Sequence, residues 1–439
     1  MKQGYRGALS LCCISLLLVM LFSCVDSTKI KEGTIIGRVV LDGEDYHTDI
    51  DVLVYHAESI PSELLFYKMQ FPLLDCPLSD SLFFDHRINK PAMYSKTDYQ
   101  GNFKINKIPV KEYIVVVKKD SWGFSYVHNV DLENNDDNSV DLGEMTLFPE
   151  IVLPQHITNT FTLETNKSYV VEHDTILFEN SHLVIEGGAK LFVKPGHELI
   201  SHGKISCPED NEMAVFSYYG DEQSNTPTNG LKIMGGCIEL ENITFLGFHE
   251  GLNVLNSGFT LKNCVFNKCN TGVLVRRTSD ILIKNCFFKD CGSVEGAACA
   301  VNNVDSLTCE ENLFWGNSLA LKHEIVINSV IENNLFVSNP RSFVNLWNSH
   351  SVFKNNTIHT DGIGVENSGK SNLDIQGNDI NASVCVKTYY SYHMHNSAED
   401  GWTKANNNNF IASEYAVEAR ASYIYLLKPF PLDFSNNYW

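Results

Sequence analysis

The sequence predicts an all-β chain, a small β-sandwich followed by a long parallel β-helix. Three observations carry this reading. A six-residue motif recurs through the second half of the chain at a spacing close to 22 residues. The first half holds short apolar alternations divided by turn residues. The repeating segments also lack the 3.6-residue apolar period that a helical solenoid needs.

Composition narrows the function. Of 439 residues, 44% are hydrophobic and 20% charged, which excludes bulk disorder. Lys and Arg total 33 against 53 Asp and Glu, a formal charge of −20. So acidic a chain is not built for nucleic acid, whose phosphates need clustered positive charge.

The first residues carry an export pattern. Lys2 and Arg6 form a basic start, and an apolar stretch runs from Gly7 to Phe22. Residues 1–23 read as a secretory signal, too short and wrongly flanked for a stable span. Leu21-Phe22-Ser23-Cys24 resembles a bacterial lipobox. The resemblance implies that Cys24 is lipidated and that residues 24–32 tether a soluble body to a membrane.

Of 13 cysteines, Cys12 and Cys13 leave with the signal and Cys24 takes lipid, so ten remain. None forms a CxxC pair or a zinc spacing with His. Cys264 and Cys269 recur as Cys286 and Cys291 one repeat later. They read as buried small hydrophobes, with a cross-rung disulfide or a thiolate site as the alternatives. His393 and His395 lack further ligands, and Asn134 to Asn138 lacks calcium-loop spacing. No metal and no cofactor is expected.

Residues 33–148 read as the sandwich. Ile35, Val39 and Leu41, then Val52 and Val54, mark two strands, and Thr97-Asp98-Tyr99-Gln100-Gly101 has turn chemistry. Phe103 and Ile105 alternate, Pro109 breaks the strand, and Tyr113, Val115 and Val117 alternate again. Gly37-Arg38-Val39, Thr97-Asp98 with Gly101 and Phe103, and Ile108-Pro109 with Tyr113 resemble the carboxypeptidase regulatory-like, transthyretin-type β-sandwich. Lys111 stands where that family has Gly. The resemblance implies a non-catalytic spacer or docking unit. Residues 56–93 are an insertion whose Phe66, Tyr67, Phe71, Phe83 and Phe84 predict a packed flap.

Residues 160–439 hold the repeat. It reads LENITF (240–245), LKNCVF (261–266), IKNCFF (283–288), CEENLF (309–314), IENNLF (331–336), FKNNTI (353–358) and IQGNDI (375–380). ANNNNF (405–410) and FSNNYW (434–439) follow. The starts lie 21, 22, 26, 22, 22, 22, 30 and 29 residues apart. The first and sixth positions are apolar and point inward. The fourth runs Ile243, Cys264, Cys286, then Asn312, Asn334, Asn356, Asn378, Asn408 and Asn437. That Asn column predicts a left-handed bend with amides bonded from coil to coil. A second strand follows each motif, so one period is one coil of a parallel β-helix. The series resembles the right-handed parallel β-helix of the pectate-lyase-like superfamily, and handedness comes from that resemblance.

The chemistry follows from the outer face. The polygalacturonase-type and pectate-lyase-type signatures are absent. The residue after each second strand reads Leu255, Arg276, Asn302, Lys322, Trp347, Glu366, Lys387 and Arg420, and the next position includes Arg277 and His323. With coils about 4.8 Å apart, these predict a glycan groove of Arg276, Arg277, Lys322, His323, Trp347, Glu366 and Lys387. Cations would meet acidic groups and Trp347 a sugar face. Glu324 and Glu366 are the candidate acid/base pair. The expected function is a membrane-anchored extracytoplasmic lipoprotein of the outer membrane, on the cell surface or the periplasmic face, that binds or handles a glycan, an acidic or complex polysaccharide. A polysaccharide lyase or glycoside hydrolase, and a structural or adhesive surface protein, are the alternatives.

Overall fold

The computed structural model describes residues 31–57, 61–72, 74–77, 84–87, 89–134, 137–207, 212–219, 228–235, 237–292, 296–390, 401–421 and 432–438. Cys24 and the export pattern lie outside the described residues, as do Phe83, Asn135, Asp136, His393 and His395. Among the described residues, no helix is long and apolar enough to cross a membrane.

The first unit has seven strands in two sheets. These are β1 (Glu32–Leu41), β2 (Asp51–His56), β3 (Met93–Lys96), β4 (Asn102–Pro109), β5 (Glu112–Lys119), β6 (Gly123–Asp131) and β7 (Ser139–Leu147). One sheet runs β4-β1-β7 and the other β3-β2-β5-β6. Their alternating inner residues, among them Ile35, Val39, Val52, Val54, Phe103, Tyr113 and Val115, form one apolar core. The turn before β4 forms as its residues dictate. Asp98 Oδ1 accepts the Gln100 and Asn102 amides at 2.9 and 2.8 Å. Gly101 takes φ +87°, and a Cβ there would lie 2.1 Å from the Val39 carbonyl oxygen. Tyr113 donates its hydroxyl to the Pro109 carbonyl at 2.7 Å, locking the turn between β4 and β5.

From Ile151 onward the chain is a parallel β-solenoid of about 10 turns. Pairing begins there, nine residues before the predicted start at 160, because Ile151 and Val152 lie against Tyr169 and Val170. Each coil has three faces. In one coil the first face is Ile243–Leu246, the second Glu250–Leu255 and the third Gly258–Lys262. The sixth motif position forms an interior stack. Phe245, Phe266, Phe288, Phe314 and Phe336 lie near-parallel with successive centroids 4.7–5.0 Å apart.

The corner between third and first faces divides labour between two adjacent residues. The third motif position takes the left-handed conformation: Asn242, Asn263, Asn285, Glu311, Asn333, Asn355, Gly377, Asn407 and Asn436 all have φ of 50–63°. The fourth position does not, which corrects the expectation that the Asn column itself bends left-handed. Its amides instead form a buried ladder. Asn312 Nδ2 donates to Asn334 Oδ1 at 3.0 Å, Asn334 to Asn356 at 2.9 Å, Asn356 to Asn378 at 3.2 Å and Asn378 to Asn408 at 2.9 Å. A shorter ladder, Asn317 to Asn339 at 3.0 Å, follows the first face. Cys264 and Cys286, and Cys269 and Cys291, fill the same two columns one and two rungs earlier. Cys76, Cys207, Cys264, Cys269, Cys286, Cys291, Cys299, Cys309 and Cys385 are free thiols, and burial pushes the Cys286 and Cys291 thiols up.

The insertion is a packed flap, but its main partner is the solenoid. Helix α1 (Ser62–Gln70) and the following turn place Leu64, Leu74 and Cys76 on Val265, Phe287, Leu313 and Leu335. Those four are the fifth motif position, outward on the first face of four consecutive rungs, and need cover from water. Phe84 packs on Tyr55 and Tyr126 beneath the sandwich. Arg87 joins the units: it pairs with Asp85 at 2.8 Å, donates to Ser217 Oγ at 2.7 Å, and lies 4.1 Å over the Tyr218 ring.

Candidate functional site

Strand register decides which predicted side chains share a surface. On the second face, Val273 pairs with Cys299, Cys299 with Leu321, Leu321 with Phe343, Phe343 with Val365 and Val365 with Val386. Two residues on, the inward column runs Val275, Val301, His323, Asn345, Asn367 and Thr388. It turns polar at His323. The predicted alignment followed apolar pairs, so at Lys322, Glu366 and Lys387 it stopped two residues early, while Trp347 lies one residue past Leu346, the partner of Glu324.

The seven predicted residues therefore fall into four columns. His323 points into the solenoid and is fully buried, so it cannot line an outer groove. Lys322, Glu366 and Lys387 share an outward column with Ala300 and Val344. Arg276 lies two residues on, in a column with Leu255, Asn302, Glu324 and Leu346. Arg277 and Trp347 sit at the next corner, where Asn256, Arg277, Asn303, Ile325, Trp347 and Gly369 all have φ of 49–73°. The single shared offset is thus replaced by a face and its adjoining corner.

Most of the charge on that face is neutralised within it. Arg341 pairs with Glu366 at 2.8 Å, Lys387 with Glu418 at 3.0 Å and Lys322 with Glu324 at 3.4 Å. Lys387 also lies 5.2 Å over the Tyr389 ring. Arg276 and Arg277 are exposed and have no ion-pair partner among the described residues. Glu324 and Glu366 lie two rungs apart in different columns. Two steps of roughly 4.8 Å already separate them by about 10 Å along the axis. Both carboxylates are already committed to cations, Glu324 to Lys322 and Glu366 to Arg341.

Trp347 is 48% exposed. The next rung has Gly369 at the same corner, and a Cβ there would lie 3.5 Å from Trp347 Cε3. The glycine gives the indole a flat seat. Ile325, at 39% exposure, occupies the previous rung of that corner, with Ile327 beside it at 52%. An isoleucine with φ 57° is strained, and here the strain holds an apolar side chain in water next to the indole.

Inside the solenoid the polar column builds a continuous network. Ser329 Oγ donates to Ser351 Oγ at 2.6 Å, and Ser351 Oγ to Asn345 Oδ1 at 2.9 Å. Asn345 Nδ2 donates to Asn367 Oδ1 and Asn367 Nδ2 to Thr403 Oγ1, both at 2.9 Å. His323 Nδ1 lies 3.4 Å from both Ser329 and Ser351, while burial lowers its pKa to about 3. This network is sealed from solvent and serves the core.

A second concave feature escaped the sequence reading. α1 ends its apolar contact where the fifth motif position turns polar, at Thr357 and Asp379. Beyond that edge a cleft of about 570 Å³ opens between Glu63 and Tyr67 of α1 and the solenoid residues Pro340, His359, Asp361 and Asn381. The signal that could have found it is the run Val265, Phe287, Leu313, Leu335 followed by Thr357 and Asp379, a covered stretch with a defined end. Among the described residues no cluster of three His, Cys, Asp or Glu side chains could hold a metal ion.

Residues 229–410 match the family model of the right handed beta helix region. A 165-residue stretch is 26% identical to SHC SH2 domain-binding protein 1 of Homo sapiens, covering 34% of this chain. The chain spans about a quarter (24%) of that relative's length. Among solved structures, an alginate lyase from Paenibacillus sp. str. FPU-7 aligns with a TM-score of 0.41 and 14% identity, over 61% of this chain and all of that one. The Yersinia enterocolitica family 28 exopolygalacturonase aligns with a TM-score of 0.33 and 10% identity, over 89% of this chain and 93% of its own.

Proposed function

We propose that the protein is a lipid-anchored, extracytoplasmic surface protein whose β-helix binds an acidic glycan at the corner holding Arg277 and Trp347. The observation that carries this is the exposed indole of Trp347 seated on Gly369. A flat aromatic fixed at the surface offers a stacking face at little cost in side-chain freedom. Arg276 and Arg277 supply unneutralised cations, and Arg277 stands three rungs, about 14 Å, along the axis from the indole. Lys322, Glu366 and Lys387 flank the site as an internally paired face. The reading is binding without turnover, since the Glu324 and Glu366 carboxylates are each held by a cation.

Trp347→Ala is expected to weaken binding of the glycan found on an array by about tenfold, with unchanged melting. Arg276→Ala should weaken it more at low salt than at high salt, because exposed charge contacts are screened. Mutants that bind like the parent would remove this site.

The anchor is tested separately. The order of basic start, apolar core and Leu21-Phe22-Ser23-Cys24 makes Cys24 the lipidated residue. Cys24→Ala is expected to move the protein from the membrane to the soluble fraction. Retention in the membrane would rule out lipidation as the means of attachment.

A further inference from the structure

The cleft under α1 presents a chemistry opposite in charge to the corner. Its walls are fixed. Leu64 anchors α1 in the apolar cluster on the first face, and the Tyr67 ring sits 6.4 Å from Trp315 and 5.3 Å from His359. On the floor, Thr360 donates to the Asn339 carbonyl at 2.5 Å and accepts the Gly362 amide at 3.1 Å. A Cβ on Gly362 would lie 2.0 Å from the Pro340 carbonyl oxygen, so the corner passes tightly beneath the opening.

Five residues with hydrogen-bonding side chains line it: Glu63 and Asp361 with carboxylates, His359 with an imidazole, Asn381 with an amide and Tyr67 with a hydroxyl. None has a side-chain hydrogen bond or ion pair among the described residues. Burial, then the Glu63 charge, raises the Tyr67 pKa, so its hydroxyl stays a donor. The carboxylates accept, the amide does both, and the imidazole does either. An apolar ligand would strip water from all five without replacement. An anion would face two carboxylates with no Lys or Arg in the lining. The volume lies within the roughly 300–1,000 Å³ of small-molecule sites.

We propose that this cleft is a second saccharide site, for sugars without acidic groups. One ring face lies on Tyr67, and hydroxyls bond Glu63, Asp361, His359 and Asn381. It rests on different residues from the corner site, so the two stand or fall separately.

The test uses the full chain purified in detergent and an array of neutral, amino and uronate oligosaccharides. Hits are titrated by calorimetry against Asp361→Ala, Tyr67→Ala and Trp347→Ala. Expected is at least about a tenfold loss of affinity for a non-acidic oligosaccharide in Asp361→Ala and Tyr67→Ala, with Trp347→Ala unchanged. Asp361 is exposed, so this variant should melt like the parent even if Tyr67→Ala loosens α1. The proposal is overturned if no non-acidic sugar binds, if its binding ignores Asp361, or if uronate oligosaccharides are the ligands that need Asp361.

Discussion

Acidification from pH 6.5 towards pH 3 is expected to cost the solenoid about 4–5 kcal/mol through His323 alone. Its imidazole is fully buried between Phe343 and the Ser329 and Ser351 hydroxyls, and burial holds its pKa near 3. An unfolded imidazole takes its proton near 6.5. Between those values the unfolded chain binds the extra proton and the folded chain refuses it. The stabilisation is therefore complete above pH 6.5, falls as pH drops, and is exhausted below about pH 3. His86, held near 4 mainly by burial, adds to the same trend from the insertion. His323→Asn separates them, since Asn345 and Asn367 already occupy the next two rungs of that column. Urea titrations across pH 3–7 should show a shallower loss in the variant. Parallel curves for variant and parent would place the acid lability elsewhere.

The legible and illegible parts of this fold divide along the same column. The Phe stack and the Asn ladder repeat one residue type at one spacing, so the motif reveals them. The second face was readable only while its inward positions stayed aliphatic, as at Val275 and Val301. At His323 the interior turns polar, and the apolar pair Leu319 and Leu321 imitates the true inward pair Leu321 and His323. That shift moved Lys322, Glu366 and Lys387 into the column of Arg276, whereas Trp347 was set in the place of Leu346, one residue before the corner it occupies. The left-handed residue of each bend was misplaced by one because the third and fourth motif positions are both often Asn. Only coordinates show that Asn333 turns the chain while Asn334 ties the coils together. The cleft was hidden for another reason: Tyr67 lies 292 residues from His359, and nothing local to α1 names its partner. The apolar fifth position of four rungs did require a cover, and that was the available clue.

The ladder yields the second large effect. Asn334→Leu is expected to destabilise the solenoid by about 3 kcal/mol or more. Asn334 Oδ1 accepts the Asn312 amide N–H at 2.9 Å and the Asn312 side chain at 3.0 Å. Its Nδ2 donates to the Cys309 and Glu332 carbonyls at 2.9 and 3.0 Å, besides Asn356. Leucine keeps the branched shape but satisfies none of these, and Asn334 is only 2% exposed, so water cannot substitute. At least the Asn312 backbone amide would be left without its acceptor, at about 1–3 kcal/mol for a buried group. The earlier rungs show what an apolar occupant requires. Cys264 and Cys286 fill this column where the stack begins, and Cys286 N–H still finds Asn312 Oδ1 at 2.8 Å. A hydrophobe is thus tolerated where the next rung supplies the acceptor, and Asn334→Leu withdraws that acceptor from Asn312. Asn334→Ser, which keeps an oxygen but is too short to span both rungs, should fall between parent and Leu. A chemical melt in which the Leu variant unfolds with the parent would show that the amides are spectators to solenoid stability.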